Sequence, residues 1–211
     1  MEPYALRKRV TRVLEGAILG NMFFEASTRT RVSFGSAFNL LGGEVRETAG
    51  FENSALVKGE SLQDTARVLS GFSDVICMRH PQSGSVADFA VASRVPVLNG
   101  GDGANEHPTQ ALLDLYTICK EMADKGRDID GLSIAMIGDL RHGRTVHSLG
   151  KLLSLYKNIR VVLISPKELT LPDSIVESMR AAGVDVSISH ELTQSIAAVD
   201  IVYSTRIQEE R

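Results

Sequence analysis

The chain has 211 residues, 43% hydrophobic and 23% charged, with a formal net charge of −3. That balance is ordinary for a globular protein in water and gives no electrostatic footing for nucleic acid or a membrane surface. No apolar run approaches the ~20 residues needed to cross a bilayer, and the N-terminus has no signal-peptide pattern.

Residues 3–15 read as a basic helix, and the apolar run Ala17 to Phe24 as a buried strand. Glu25-Ala26-Ser27-Thr28-Arg29-Thr30-Arg31 then opens a helical pattern in which Val32, Phe34, Ala37, Phe38 and Leu41 recur at three- and four-residue spacing, closed by Gly42-Gly43. Ser27 is placed as an N-cap. The next backbone N–H groups lack partners within the helix, and the helix dipole favours an anion beside them. Hydroxyls on Ser27, Thr28 and Thr30 and guanidiniums on Arg29 and Arg31 add what phosphate oxygens require. Without partners elsewhere, the same stretch is a capped surface helix with solvated arginines.

A short strand, 44–48, leads to an aperiodic polar segment, 49–60, that carries Ser54 and Lys58. A loop of that length in a compact domain is usually functional or disordered. Ser61-Leu62-Gln63-Asp64 starts a helix to about Gly71. Asp74 to Arg79 is a buried strand ending in a cation, followed by His80-Pro81. A helix over 85–93 and a strand over 95–98 precede the glycine-rich stretch Asn99 to Gln110, which runs into a helix over 111–122. Cys77 and Cys119 lie in apolar stretches without metal-type spacing, as reduced buried thiols do in a cytosolic protein.

The polar run Lys120 to Gly131 marks a boundary, giving domains 1–125 and 126–211. Strands at 133–138, 160–165, 184–189 and 201–204 alternate with helices at 145–156, 173–182 and 191–198, and the chain then gives Thr205-Arg206-Ile207-Gln208. The expected class is α/β: two doubly wound parallel-sheet, Rossmann-like domains, the second incomplete. Such sheets bind ligands beyond the carboxyl ends of their strands. Ser27 to Thr30, Arg79 and His107 to Gln110 each follow a strand and are expected to meet on one edge. Singly, Arg79 also fits a surface cation and His107 a capping histidine.

Gly138-Asp139-Leu140-Arg141-His142-Gly143-Arg144-Thr145 follows a strand and opens a helix, matching a nucleotide-binding loop except for Arg144 in place of lysine. A guanidinium is not equivalent to an ammonium between phosphates. With Arg206 two strands on, Arg144 suits bidentate grip of carboxylates better.

Phe24 to Arg31, Met78-Arg79-His80-Pro81, His107-Pro108-Thr109-Gln110 and Gly138 to Leu149 together closely resemble the carbamoyltransferases, over nearly the whole chain and in order. The first three motifs are common to the aspartate and ornithine branches. Gly143 to Leu149, the Lys58 loop and Thr205 to Gln208 resemble the aspartate branch. Arg141-His142, where relatives often carry Lys-Tyr, is a minor departure. Family members also start with a further helical segment and continue past the Arg-x-Gln through a His-Pro-Leu-Pro loop, so the resemblance implies a sequence truncated at both ends and poorly active or inactive as it stands.

The resemblance implies transfer of the carbamoyl group of carbamoyl phosphate to the amine of L-aspartate, a step of pyrimidine biosynthesis in the cytoplasm, with no cofactor and no metal. Ser27, Thr28, Arg29, Thr30 and Arg79 would hold the phosphate. Thr30, Arg79 and His107 would reach the carbamoyl oxygen, and Gln110 would accept from the carbamoyl NH2. Lys58, Arg144, Arg206 and Gln208 would bind aspartate, with Ser54 and Lys58 supplied by the neighbouring subunit of a homotrimer. Glu25 is expected to orient an arginine such as Arg79. Regulatory or dihydroorotase chains are admissible further partners. The competing readings are an ornithine carbamoyltransferase and a non-catalytic phosphate-binding fragment.

Overall fold

Two parallel sheets organise the chain in a computed structural model that describes residues 2–49 and 58–206. The two compact units are Met1–Gly103 and Ala104–Arg211. The first unit runs α1 (Glu2–Ala5), β1 (Ile18–Phe23), α2 (Thr28–Leu40), β2 (Glu44–Ala49), α3 (Leu62–Leu69), β3 (Val75–His80), α4 (Ser85–Ala92) and β4 (Val97–Asp102). Its sheet has the order β2-β1-β3-β4, all parallel.

Side-chain alternation explains why helices cover both faces of this sheet. Leu19, Phe23, Val75 and Cys77 point to one side, where Phe34 and Phe38 of α2 pack. Met22, Phe24, Ile76 and Met78 point to the other, where Ala66 of α3 and Val86 and Phe89 of α4 pack. β1 and β3 are buried on both faces, as apolar runs without polar alternation require. Burial pushes the Cys77 thiol up to about 12 and raises Cys119 as well, so both are poor nucleophiles.

The second unit runs α5 (Pro108–Asp124), β5 (Ser133–Ile137), α6 (Arg144–Leu153), β6 (Arg160–Ile164), α7 (Asp173–Ala181), β7 (Asp185–Ser189), α8 (Leu192–Ser195) and β8 (Ile201–Ser204). Its sheet order is β7-β6-β5-β8, again parallel. Ile134, Met136, Val161, Leu163 and Val186 form one core with Ala111, Ile118 and Met122 of α5, Leu149 and Leu153 of α6, and Met179 of α7. A boundary near 125 falls just after α5, whereas by packing α5 belongs to the second unit. Arg127 and Asp200 clamp the segments that enter β5 and β8, and Asp200 also accepts from the Ser133 N–H at 2.9 Å and hydroxyl at 2.7 Å. These bonds, Arg127's first, hold the Asp200 carboxyl far below its usual range, so its contribution to stability is full at neutral pH and is lost as the pH falls from the ordinary carboxylate range through that lower value.

Three elements differ from expectation. The basic helix over 3–15 shrinks to Glu2–Ala5, because Arg7 turns to φ 56 and Lys8, Arg9, Val10, Arg12 and Val13 are exposed, with no apolar stripe to dock. The strand expected over 95–98 runs instead through Asp102. Gly100 favours this: a Cβ there would stand 3.2 Å from Cys77 Sγ and from the Met78 carbonyl, so any other residue would push its neighbours back by a few tenths of an ångström. α8 is four residues long rather than the eight expected. Among the described residues no helix is long and apolar enough to cross a membrane.

Candidate active site

In the first unit the site grows from neighbouring strand ends. β1 pairs with β3 so that Phe23 lies beside Arg79, and the Phe24 N–H donates to the Arg79 carbonyl at 2.9 Å. The chain leaves β1 through Glu25 and enters α2 at Ser27, which is the N-cap in extended geometry, with no side-chain capping bond. Its Oγ is therefore not consumed by the helix. Thr28 and Arg29 are exposed and Thr30 half-buried. The second expected guanidinium is used otherwise. Arg31 lies 3.9 Å from Glu47 of β2, and its carbonyl accepts from Asn21 at 3.0 Å, which pins the first turn of α2 to the sheet.

Arg79 is 8% exposed and lies on the adjacent strand. Its Nε donates to Glu25 Oε2 at 3.0 Å and its Nη1 to the Gly100 carbonyl at 3.4 Å. A buried guanidinium needs such partners to offset lost hydration. They also fix its plane, as expected for Glu25. Next to it, His80 accepts the Gln82 N–H and packs edge-on against Phe24, and burial lowers its pKa, favouring the neutral ring.

The second unit carries the other expected residues. His107 is buried at the N-cap of α5, and its N–H donates to Ser148 Oγ at 2.9 Å. Ser148 in turn donates to Glu106, which also pairs with Lys151. His147, one residue earlier on α6, sits between the carbonyls of Leu140 (2.9 Å) and Asn105 (3.2 Å). The Asn105-Glu106-His107 segment is thus tied to the helix that Arg144 opens. Gln110, in the first turn of α5, donates from Nε2 to Asp114 at 2.9 Å.

Arg144 and Arg206 leave adjacent strands, because β5 and β8 are neighbours. The approach is close: a Cβ on Gly138, at φ +117, would stand 2.3 Å from the Thr205 carbonyl, and the Thr205 N–H donates to Ile137 at 2.8 Å. Between them the loop spends its own donors. The Leu140 and Arg141 N–H groups both reach the Leu169 carbonyl, at 3.0 and 3.1 Å, and the His142 N–H reaches buried Asp139 at 3.0 Å. A nucleotide-binding loop needs those N–H groups for phosphate, so the resemblance to one is confined to sequence.

Lys58 is exposed in the first unit, while Ser54 and Gln208 lie outside the described residues. Among the described residues no group of three or more His, Cys, Asp or Glu could hold a metal ion. The supporting residues Glu106, Asp114, Ser148, Lys151 and Tyr203 escaped the sequence reading. Asp114 alone had a local signal, four residues from Gln110 on one helix face.

Residues 1–120 match the carbamoyl-phosphate-binding domain of the aspartate/ornithine carbamoyltransferases, and residues 130–211 match their Asp/Orn-binding domain. The chain belongs to this family. It is 76% identical, over all of its 211 residues, to the aspartate carbamoyltransferase catalytic subunit of Saccharophagus degradans, and spans 63% of that relative's length. Among solved structures, aspartate transcarbamoylase from Trypanosoma cruzi, in complex with carbamoyl aspartate and phosphate, superposes with a TM-score of 0.90 at 41% identity, over 100% of this chain and 68% of that one. The catalytic subunit of the Methanocaldococcus jannaschii enzyme does so with a TM-score of 0.86 at 48% identity, over 100% and 67%.

Proposed function

We propose that the protein transfers the carbamoyl group of carbamoyl phosphate to the amine of L-aspartate, giving N-carbamoyl-L-aspartate and phosphate. The observation that carries the choice of aspartate is the pair of guanidiniums, Arg144 and Arg206, leaving adjacent strand ends. Aspartate brings two carboxylates, each suited to a guanidinium fork. Ornithine brings one carboxylate and a cationic side chain, which two arginines would repel. The relatives' own names agree with this choice.

In this reading residues 1–125 hold carbamoyl phosphate and residues 126–211 hold aspartate. Ser27, Thr28, Arg29 and Thr30, with the first-turn N–H groups of α2, take the phosphate, and Arg79 spans phosphate and carbamoyl oxygen. The aspartate amine attacks the carbamoyl carbon, and its lone pair forms the new C–N bond. Charge then gathers on the carbamoyl oxygen, opposed by Thr30, Arg79 and His107, before the C–O bond to phosphate breaks; its electrons leave with the phosphate, which also takes the proton shed by the amine. Rate comes from holding the two substrates together and from preorganised charge. Gln110 accepts from the carbamoyl NH2, and Gln208 assists Arg206 with aspartate.

The same reading makes the working unit a cytoplasmic homotrimer serving pyrimidine biosynthesis, with Ser54 and Lys58 reaching a neighbour's site. Its local support is the long polar segment 49–60, too long for a simple connector. Hybrids reassembled from Lys58→Ala and His107→Ala chains test it, because some sites would regain two intact halves; verified hybrids without activity would return Lys58 to its own subunit. The activity is tested by supplying the full-length protein with carbamoyl phosphate and either L-aspartate or L-ornithine. Carbamoyl-aspartate and phosphate are expected in equal amounts; preference for ornithine, or no product from either, would overturn the reading.

A further inference from the structure

Gln110 Nε2 donates to Asp114 Oδ1 at 2.9 Å, one helical turn along α5. Asp114 Oδ2 accepts from the Tyr203 hydroxyl at 2.9 Å. Tyr203 stands on β8 opposite Met136 of β5 and packs against the second unit's core, and its hydroxyl also bonds the side chain of Thr145 in the first turn of α6. The donors and acceptors allow one ordering. A carboxylate without a proton can only accept, so Tyr203 gives its single hydrogen to Asp114 and Thr145 donates to the Tyr203 oxygen. Burial pushes the Tyr203 phenol up to about 12, which keeps that hydrogen in place at any ordinary pH.

The consequence falls on the Gln110 amide. Its two ends are close in shape and opposite in chemistry, and a free glutamine side chain can offer either. Facing Asp114, the NH2 end is committed and the carbonyl oxygen Oε1 is turned away from the carboxylate. We propose that Asp114 and Tyr203 are positioning residues that present Gln110 as an acceptor, and so set a preference for acyl phosphates that carry an NH2 donor. The inference rests on the carbamoyl-transfer reading and deepens it: an acyl phosphate with CH3 in place of NH2 has the same phosphate and the same carbonyl, and differs only where Gln110 would read it. The network also ends beside both arginines assigned to aspartate, since Thr145 follows Arg144 and β8 leads into Thr205-Arg206.

The experiment measures binding of carbamoyl phosphate, acetyl phosphate and inorganic phosphate to the full-length protein, wild type and variants, by calorimetry, with turnover alongside. Wild type is expected to favour carbamoyl over acetyl phosphate. In Asp114→Asn the new amide can donate to Gln110, so the Gln110 amide is free to flip. Carbamoyl phosphate affinity should then fall about tenfold, the worth of one ordinary hydrogen bond, while inorganic phosphate affinity holds. Tyr203→Phe removes one oxygen and should give a smaller loss with the same selectivity. Adding Asp114→Asn to Gln110→Ala should cost little more than Gln110→Ala alone. Equal loss for carbamoyl phosphate and inorganic phosphate, or full additivity with Gln110→Ala, would overturn the proposal. If Asp114→Asn does not fold, Tyr203→Phe decides by the same ratio. A wild type that favours neither acyl phosphate and transfers nothing to aspartate sinks the underlying reading instead, which keeps the two failures apart.

Discussion

The junction from β1 into α2 and the junction from β5 into α6 are made of like parts. Each is a buried parallel strand, a short loop and a helix whose first turn carries hydroxyls and arginine. The first leaves its capping serine without a side-chain bond to the helix, and the neighbouring strand supplies a buried arginine aimed by Glu25. The second turns its N–H groups inward, onto the Leu169 carbonyl and the Asp139 carboxylate, and its helix opens at Arg144. A helix N-terminus is therefore an anion site only where nearby acceptors have not already taken its donors. By that rule the first junction suits a phosphate, held by many short bonds, and the second suits a carboxylate gripped by a fork.

The sharpest way to break this contrast is to remove the cation that the first junction depends on. Arg79→Ala should lower turnover by about 10²–10³, the usual cost of one preorganised donor at developing charge. Glu25→Gln keeps the guanidinium but loosens its aim, so it should cost less and act on turnover more than on phosphate affinity. Steady-state kinetics with phosphate as inhibitor separates the two; unchanged turnover in Arg79→Ala would put the anion elsewhere. A smaller effect is expected from Asp139→Asn. Asp139 is 1% exposed and accepts from the His142 N–H, and its oxygens lie 3.1 and 3.2 Å from the His142 ring. Its loss should cost about 1–3 kcal/mol in unfolding free energy. It should raise the Michaelis constant for aspartate several-fold through Arg144, with phosphate inhibition untouched. Denaturant unfolding and paired substrate titrations check both halves, and a change in phosphate affinity would contradict the division of labour.

Much of the first junction was legible in the chain because its cues are local. The apolar run Ala17 to Phe24, a capping serine and a hydroxyl-rich first turn lie within about one strand and one helical turn of each other. The Glu25–Arg79 pair was within reach as well, since two charged residues at the ends of predicted parallel strands have few other partners. The short N-terminal helix is not legible, because charge and length carry no information on whether an apolar stripe holds a helix in place. The end of β4 is hidden because its glycines carry the composition of a loop, whereas Gly100 serves a close strand approach. The second junction was harder. That Leu169 would take its donors, or that Tyr203 would reach Asp114 across 89 residues, depends on which strands become neighbours in a parallel sheet. Local periodicity carries no information on that order.

The least disruptive change gives the finest test of the contrast. Arg144→Lys turns Gly138 to Thr145 into a full match for the nucleotide-binding pattern, so a reader of sequence alone would expect nucleotide affinity to appear. The geometry predicts none. Three consecutive N–H groups, on Leu140, Arg141 and His142, remain bonded to Leu169 and Asp139, and a lysine ammonium cannot replace the backbone cradle they would have to form. Gly138 offers no slack, because its backbone lies against Thr205 too closely for even a methyl group. Titration of the variant with magnesium-ATP should therefore show no binding, as in wild type, while its aspartate affinity falls because a point charge replaces a bidentate fork. Saturable ATP binding by Arg144→Lys would mean that the loop can release its donors, and that residue type, rather than the acceptors around it, separates the two junctions.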